Sequence, residues 1–490
     1  MTGRSDRHIE PTPSAVLTPT PLASGTKSIE EAKLPALPPK PEEMSWRDYL
    51  IMLLHIAAEL EHGLMVEYLY AAYSLGGAGA AEHSGMVTEW RDVILTVARE
   101  EMGHLVTVQN LLLLIGGPVS FERQDFPWSS PFYPFDFKLE PLSLESLACY
   151  VYAEMPKDLT RPVDLKTQHD VNELVTGDKP TVGEIYDRII RLVGDRKLIP
   201  DSTFDPESYR YQATWDEWGR GYRPGAHKPY AKSVDTPAPY ERKTRVIVTQ
   251  MATRTEALAA LRDVAGQGEA EHVRATDKME DSHFDRFAKI FRSYKRIRSK
   301  DAKWSPSRPV PENPFAGEAR YAPDGATAIT SKASMAWASL FNIRYRMLLS
   351  MLTYMYRIPR DAPESSHLRR AGMLGRIFGE MYNLKAVAGI LVRLPLGDRK
   401  DPARAGPPFQ MPYTLSPPLP EANFWRMHLD LLGATATIVD MLLDPARDNL
   451  ADAPADGRRY LLALRDADAD ARSWIEEILV GMDASRRTRA

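Results

Sequence analysis

The sequence predicts an all-α protein: a four-helix bundle with long loop insertions, followed by a C-terminal helical region. Three observations carry that expectation. Two helical runs of nearly 30 residues each are joined only by a Gly/Ala/Ser stretch at 76–86. The second run holds a Glu-x-x-His spacing, which recurs further along the chain at 269–272. Gly- and Pro-rich punctuation divides the rest into further helical stretches.

The whole chain bounds the function. Its 490 residues allow two or three domains and a sizeable core without crosslinks. With 62 basic and 66 acidic side chains the formal charge is −4, so no global field favours nucleic acid or anionic lipid. Cys149 is the single cysteine, which excludes an internal disulfide or a multi-thiolate site and fits a reducing compartment. The N-terminus lacks a signal-peptide pattern. Gly103–Phe121 and Met335–Tyr356 come nearest to a membrane span, but a Gly-Gly-Pro break interrupts the first and Arg344 and Arg346 the second. The expectation is a soluble cytoplasmic protein with no nucleic-acid or membrane partner.

Residues 1–43 carry eight prolines among Thr, Ser and Ala and read as a disordered, Pro-rich tail. The bundle is expected over 44–297. Ser45 with Asp48 reads as a cap for a helix that runs to Leu75 and stops at Gly76-Gly77. Its apolar stripe is Leu53, Ala57, Leu60, Leu64, Tyr68 and Ala71, with Glu61 at the stripe's edge. His55, Glu59 and His62 form a separate row, read as a solvated face or a set of interhelix hydrogen bonds. The second helix spans roughly 87–115. There Ile94, Val97, Glu101, His104, Leu105, Val108 and Leu112 share one side, while Glu100 points with Val93, Thr96 and Thr107, to a place behind the ligands or at the surface. Leu142–Glu154 is a third helical stretch, ended by Pro156. Thr181 caps another, which places Glu184 only marginally on its apolar side. Residues 195–242 read as one long loop draped over a site. Arg254–Val264 resumes helical spacing into Glu269 and His272, and Ser282-His283 opens a further helix. A Pro-, Ser- and Gly-rich linker is expected at 298–330. The region 331–490 reads as helical, with scattered charges and no clustered ligand set.

A carboxylate and an imidazole on one apolar helix face need a positive partner, because an unpaired buried carboxylate costs several kcal/mol. In chain order the ligand candidates are Glu61, Glu101 with His104, Glu184, and Glu269 with His272 or His283. One Glu from each of two helices and a Glu-x-x-His from each of two others is the dimetal carboxylate pattern of ferritin-like bundles. Four carboxylates balance two divalent cations, and the imidazoles suit Fe, Mn or Zn.

Leu60-Glu61-His62 with Tyr68-Leu69-Tyr70-Ala71 resembles the first-helix signature of the ferritin-like domain of iminophenyl-pyruvate dimer synthase type. Glu100-Glu101-Met102-Gly103-His104 with Ile115-Gly116-Gly117-Pro118 resembles its second helix. Gly183-Glu184-Ile185-Tyr186, Gln267-Gly268-Glu269 and Ser282-His283-Phe284 resemble later motifs, and Ala405-Gly406-Pro407-Pro408-Phe409 a segment of longer members. The resemblance covers roughly 45–300, and 335–430 more loosely. Ala270 departs from the usual Gln-Gly-Glu-Gly. The family's recurrent histidine corresponds to His283, which ranks it ahead of His272, although His272 has the better local spacing. On one unbroken helix Glu269 and His283 would lie about 21 Å apart, so His283 requires the intervening stretch to loop back.

The resemblance implies an oxidative role in small-molecule metabolism. The expected function is a non-haem dimetal oxidase or oxygenase, with di-iron ahead of Mn/Fe or Zn, acting with O2 on a small, amino-acid-derived substrate. The alternatives are a ferroxidase or iron-binding protein, or a metal-stabilised interaction module. A homodimer is compatible with either. No side chain is singled out as acid, base or nucleophile.

Overall fold

A computed structural model describes residues 39–175, 180–219, 246–269, 273–275, 278–361, 364–398, 400, 402–447 and 453–487. The segment expected to be a Pro-rich tail lies outside the described residues except for 39–43, and so does His272.

Ser45 caps helix α1 (Trp46–Ser74), accepting from the Asp48 N–H at 3.0 Å while its hydroxyl donates to Asp48 Oδ2 at 2.8 Å. Helix α2 (Ser84–Leu114) ends where Gly116 takes φ 67°, with the Gly116 and Gly117 N–H groups closing on the Leu113 and Leu112 carbonyls at 3.0 and 2.7 Å. Arg47 Nε donates to Ile115 O at 2.9 Å, tying the start of α1 to the end of its antiparallel neighbour. By length and composition α1 is apolar enough to cross a membrane, a stretch the hydropathy reading passed over. Two thirds (67%) of its most apolar window is buried inside the protein, because α1 presents apolar side chains to α2 and to α5 (Val182–Gly194) alike.

Two pairs of shorter helices complete the bundle. α5 packs on α7 (Arg254–Glu269), and α3 (Leu144–Ala153) packs on α8 (His283–Arg298). α4 (Pro162–Asn172) flanks α3 and α8, and α6 (Trp215–Gly219) is a single short turn. Between α7 and α8 the chain doubles back: β1 (Val273–Ala275) pairs antiparallel with β2 (Lys278–Glu280), Val273 facing Glu280. The reversal that His283 requires is therefore present.

The loop expected at 195–242 is described to residue 219 and holds short turns as well as α6. Asn110 on α2 anchors it, accepting from Ala213 N at 2.8 Å and donating to Ala213 O and Thr249 O, each at 2.9 Å. Residues 246–251 then cross α2, where Thr107 Oγ1 donates to Ile247 O and accepts from Thr249 N, each at 3.2 Å. They pass so close that a Cβ on Gly103 would lie 2.6 Å from Ile247 O, which explains a glycine inside the Glu101–His104 turn.

The segment 298–330 is packed along the bundle rather than strung between regions. Arg308 N bonds Ser74 O at 2.8 Å, and Trp304 joins Trp90 and Tyr294 in an aromatic cluster. A parallel pair, β3 (Pro314–Phe315) with β4 (Thr327–Ala328), lies within it. A second helical group follows: α9 (Lys332–Met355) packs on α10 (Glu364–Leu391) and α11 (Glu421–Leu443), and α11 on α12 (Ala455–Arg487). Its charges are less scattered than the sequence suggested. Arg344 sits in the core, bonded to Glu380 Oε1 at 3.1 Å and to Asp468. The three come from different helices, so no local spacing reveals them.

The two regions meet at α1. The Tyr345 hydroxyl of α9 bonds buried His62 Nε2 and accepts from Arg123 at 3.3 Å. Gly406 lies so near Tyr70 that a Cβ would stand 2.5 Å from its hydroxyl oxygen. His55 and Glu59, the rest of that row, bond Pro118 O, Gln124 N and Tyr133.

Candidate metal centre

Five side chains from four helix segments meet in the bundle core: Glu61 of α1, Glu101 and His104 of α2, Glu154 at the end of α3, and His283 opening α8. All five are at most 3% exposed. They form two overlapping donor sets, Glu61/Glu101/His104 and Glu101/Glu154/His283, each with donor atoms within 4.8 Å of one another. Glu101 belongs to both. Its Oε2 lies 2.8 Å from His104 Nδ1 and its Oε1 lies 2.8 Å from His283 Nδ1. Glu61 Oε2 completes the first set at 3.5 Å from His104 Nδ1, and Glu154 Oε2 the second at 3.7 Å from His283 Nδ1.

The outer atoms of these groups are all occupied. Tyr186 OH donates to Glu61 Oε1, and Tyr68 OH to Glu154 Oε1 at 2.7 Å. His104 Nε2 bonds Gln267 Oε1 at 2.9 Å, and His283 Nε2 bonds Glu100 Oε2 at 3.0 Å. Arg286 in turn holds Glu100 at 2.6 Å. Each imidazole thus commits Nε2–H outward and turns Nδ1 inward, as metal-ligating histidines do. Glu101 Oε1 and His283 Nδ1 face each other, buried, yet neither has a hydrogen-bond partner of acceptable geometry. Two buried donor atoms left without a hydrogen bond are what a cation seated between them would satisfy. The residues fit a metal.

The electrostatics agree. Burial, reinforced by the Glu101 charge, pushes the Glu61 carboxyl up to about 7. Burial also works against a charged His104, but Glu101 and Glu61 outweigh it and lift the imidazole to about 10. His283 rises well above its ordinary value for the same reason, through Glu101, Glu100 and Glu154. Burial pushes Glu101 up, but the His283 and His104 charges hold it below the usual carboxylate value. Without an ion, protons on the imidazoles balance the carboxylates. Divalent cations would take over that balance. A cavity of about 10 Å³ adjoins Glu61, Glu101, His104 and Glu154, between Tyr186 of α5 and Gly268 of α7, enough for one water-sized molecule.

Of the sequence-predicted residues, the structure brings together Glu61, Glu101, His104 and His283. Glu184 does not join them and is corrected. It closes a capping box instead, its carboxylate accepting from Thr181 N at 3.1 Å, because it is the third residue of α5 and the first turn needs acceptors. Glu154 stands where Glu184 was expected. It closes the short helical stretch Leu142–Glu154 two residues before Pro156, and nothing local tells which way so short a helix turns its last residue. Glu269 ends α7 next to Gly268, whose added Cβ would touch Glu154 Oε2 at 2.9 Å; its own side chain, like His272, lies outside the described residues. Glu100, expected either behind the ligands or at the surface, is fully buried and takes the first of these places, backing His283. A further group, His169 and Asp170 at the end of α4 with Glu173 just past it, has its histidine and glutamate exposed to solvent, and Lys295 of α8 already pairs with Asp170 at 2.9 Å.

A helical bundle with buried, shared carboxylates and inward-facing imidazoles defines the ferritin-like class. Residues 54–292 match the family model described as Ferritin-like, and the chain carries a ferritin-like domain over that span. Over 402 residues it is 27% identical to dichlorochromopyrrolate synthase of Lentzea aerocolonigenes, covering 75% of this chain and 36% of that protein. Over 412 residues it is 26% identical to 2-imino-3-(indol-3-yl)propanoate dimerase of Chromobacterium violaceum, covering 78% of this chain and again 36% of the relative. The chain therefore spans little more than a third of the length of these curated relatives. Both similarities reach beyond the ferritin-like domain into the C-terminal helices. No solved structure matches.

Proposed function

We propose that this protein is a dimetal, O2-dependent oxidoreductase acting on a small imino-acid or amino-acid-derived substrate in a biosynthetic pathway, with iron as its metal. The carrying observation is Glu101, whose two oxygens each face one of two buried Glu/His donor sets. The names of the relatives, a synthase and an imine dimerase, support the substrate class. Glu61, Glu101, His104, Glu154 and His283 would hold the ions, with Glu269 close by in sequence to Gly268. Three carboxylates and neutral imidazoles leave two divalent cations one charge over, which a fourth carboxylate would neutralise. A reduced metal pair supplies electrons to O2 when bound. The protein's own part is to fix the donors through Tyr68, Tyr186, Gln267 and Glu100, and to exclude bulk water from a cavity lined by α5 and α7.

One observation favours a second reading, a ferroxidase: the cavity beside the carboxylates is water-sized, so an indole-sized substrate would need α5 and α7 to part. Both readings meet one experiment. Protein from iron-replete medium is analysed for metal, then reduced and exposed to O2 with and without aromatic imino acids. Two irons per chain with substrate-dependent O2 uptake support the first reading. Uptake driven only by added Fe(II) supports the second, and less than one ion per chain overturns both.

A further inference from the structure

The two donor sets are alike in their inward-facing atoms and unlike in what stands behind them. His104 Nε2 rests on Gln267 Oε1, a neutral amide. His283 Nε2 rests on Glu100 Oε2, a carboxylate whose same oxygen accepts from Arg286 at 2.6 Å. A charged acceptor makes the stronger hydrogen bond and the more basic imidazole, and such outer partners are worth about 10–100-fold in metal affinity. Access differs as well. All three residues of the first set, Glu61, Glu101 and His104, line the cavity, whereas the second set reaches it through the carboxylates Glu101 and Glu154 but not through His283. Among the described residues of the cluster, the buried donor atoms without a hydrogen bond are Glu101 Oε1 and His283 Nδ1, which face each other within the second set.

Resting on the dimetal reading above, we propose that the two positions are unequal: Glu101/Glu154/His283 is the tight position that fills first, and Glu61/Glu101/His104 is the weaker, exchangeable position beside the cavity, because Glu100 backs one histidine and Gln267 the other. The weaker position is accordingly the one that exogenous small ligands reach.

The test is a titration of metal-free protein with Mn(II) or Co(II), followed by calorimetry and, for Co(II), by its visible bands. Wild type should show two steps at least about tenfold apart. Glu100→Gln should weaken the first step about 10–100-fold and leave the second in place, while Gln267→Glu should tighten the second, so that each exchange narrows the gap. Circular dichroism checks that each variant is folded. If Glu100→Gln does not fold, the wild type decides alone: crystals given one equivalent of Mn(II) should show anomalous density at His283 and not at His104. Equivalent steps, density at His104, or a Glu100→Gln effect confined to the second step would overturn the proposal. Wild type that takes up no cation at all would instead overturn the dimetal reading beneath it.

Discussion

Glu101 of α2 and His283, the first residue of α8, face each other at 2.8 Å across the bundle core, and the facing atoms, Oε1 and Nδ1, have no hydrogen-bond partner. Two helices far apart in sequence are thus brought to one buried point where a carboxylate and an imidazole meet as an ion pair without a well-aligned hydrogen bond.

Glu154 and Glu184 separate cleanly. Glu154→Ala should remove about one metal ion per chain. Glu184→Ala should leave metal content unchanged and cost about 0.5–1 kcal/mol as a lost capping contact on α5. Metal analysis and thermal melts read both. A Glu184→Ala variant that loses metal would overturn the corrected assignment.

Metal uptake should strengthen as pH rises, since cations displace protons held by Glu61 at about 7 and His104 at about 10. The metal-free protein should show the opposite trend. Both groups bind protons more tightly folded than unfolded, so their contribution is full at low pH and is lost as pH climbs through 7 and then 10. His62 and His428, lowered by burial, act with the other sign, but that effect is complete once pH exceeds their ordinary 6.5. Melting temperatures of metal-free protein should therefore fall from pH 7 to 9, and metal should reverse the slope.

Removing a phenol should loosen the outer carboxylates. Tyr186→Phe and Tyr68→Phe each leave a buried Glu oxygen without its donor, a loss of about 1.5–3 kcal/mol for a hydrogen bond to a charged group. Metal affinity, measured by competition with a chelator, should drop by about tenfold or more. Unchanged affinity in both variants would remove the tyrosines from the site.

Gly103→Ala should be destabilising by about 1–3 kcal/mol, because the new methyl would meet the Ile247 carbonyl at 2.6 Å and displace the covering segment. Denaturant unfolding measures the cost. A neutral result would mean that 246–251 does not lie against α2.

Arg344→Met strands Glu380 and Asp468 in the C-terminal core and should cost about 3–5 kcal/mol. Metal content should stay at the wild-type level, since no cluster residue touches that triad.

Sequence alone determined α1 and α2, their antiparallel pairing, and the inward placement of Glu61, Glu101 and His104. Helical periodicity over nearly 30 residues outweighs any single residue's ambiguity, so long helices announce their faces. His283 was reached through the family resemblance, and spacing argued against it. Only the β1–β2 hairpin, a contact between short strands with no local signature, returns it to Glu101. Glu154 was out of reach for a similar reason: it ends a ten-residue helix whose orientation is set by packing against α8. Glu184 was misplaced because the demand of a helix N-terminus for acceptors competes with any ligand role for the same carboxylate. Periodicity fixes which face a residue takes within one long helix. Which short segments converge on that face is a matter of non-local packing, and there the tertiary structure decided.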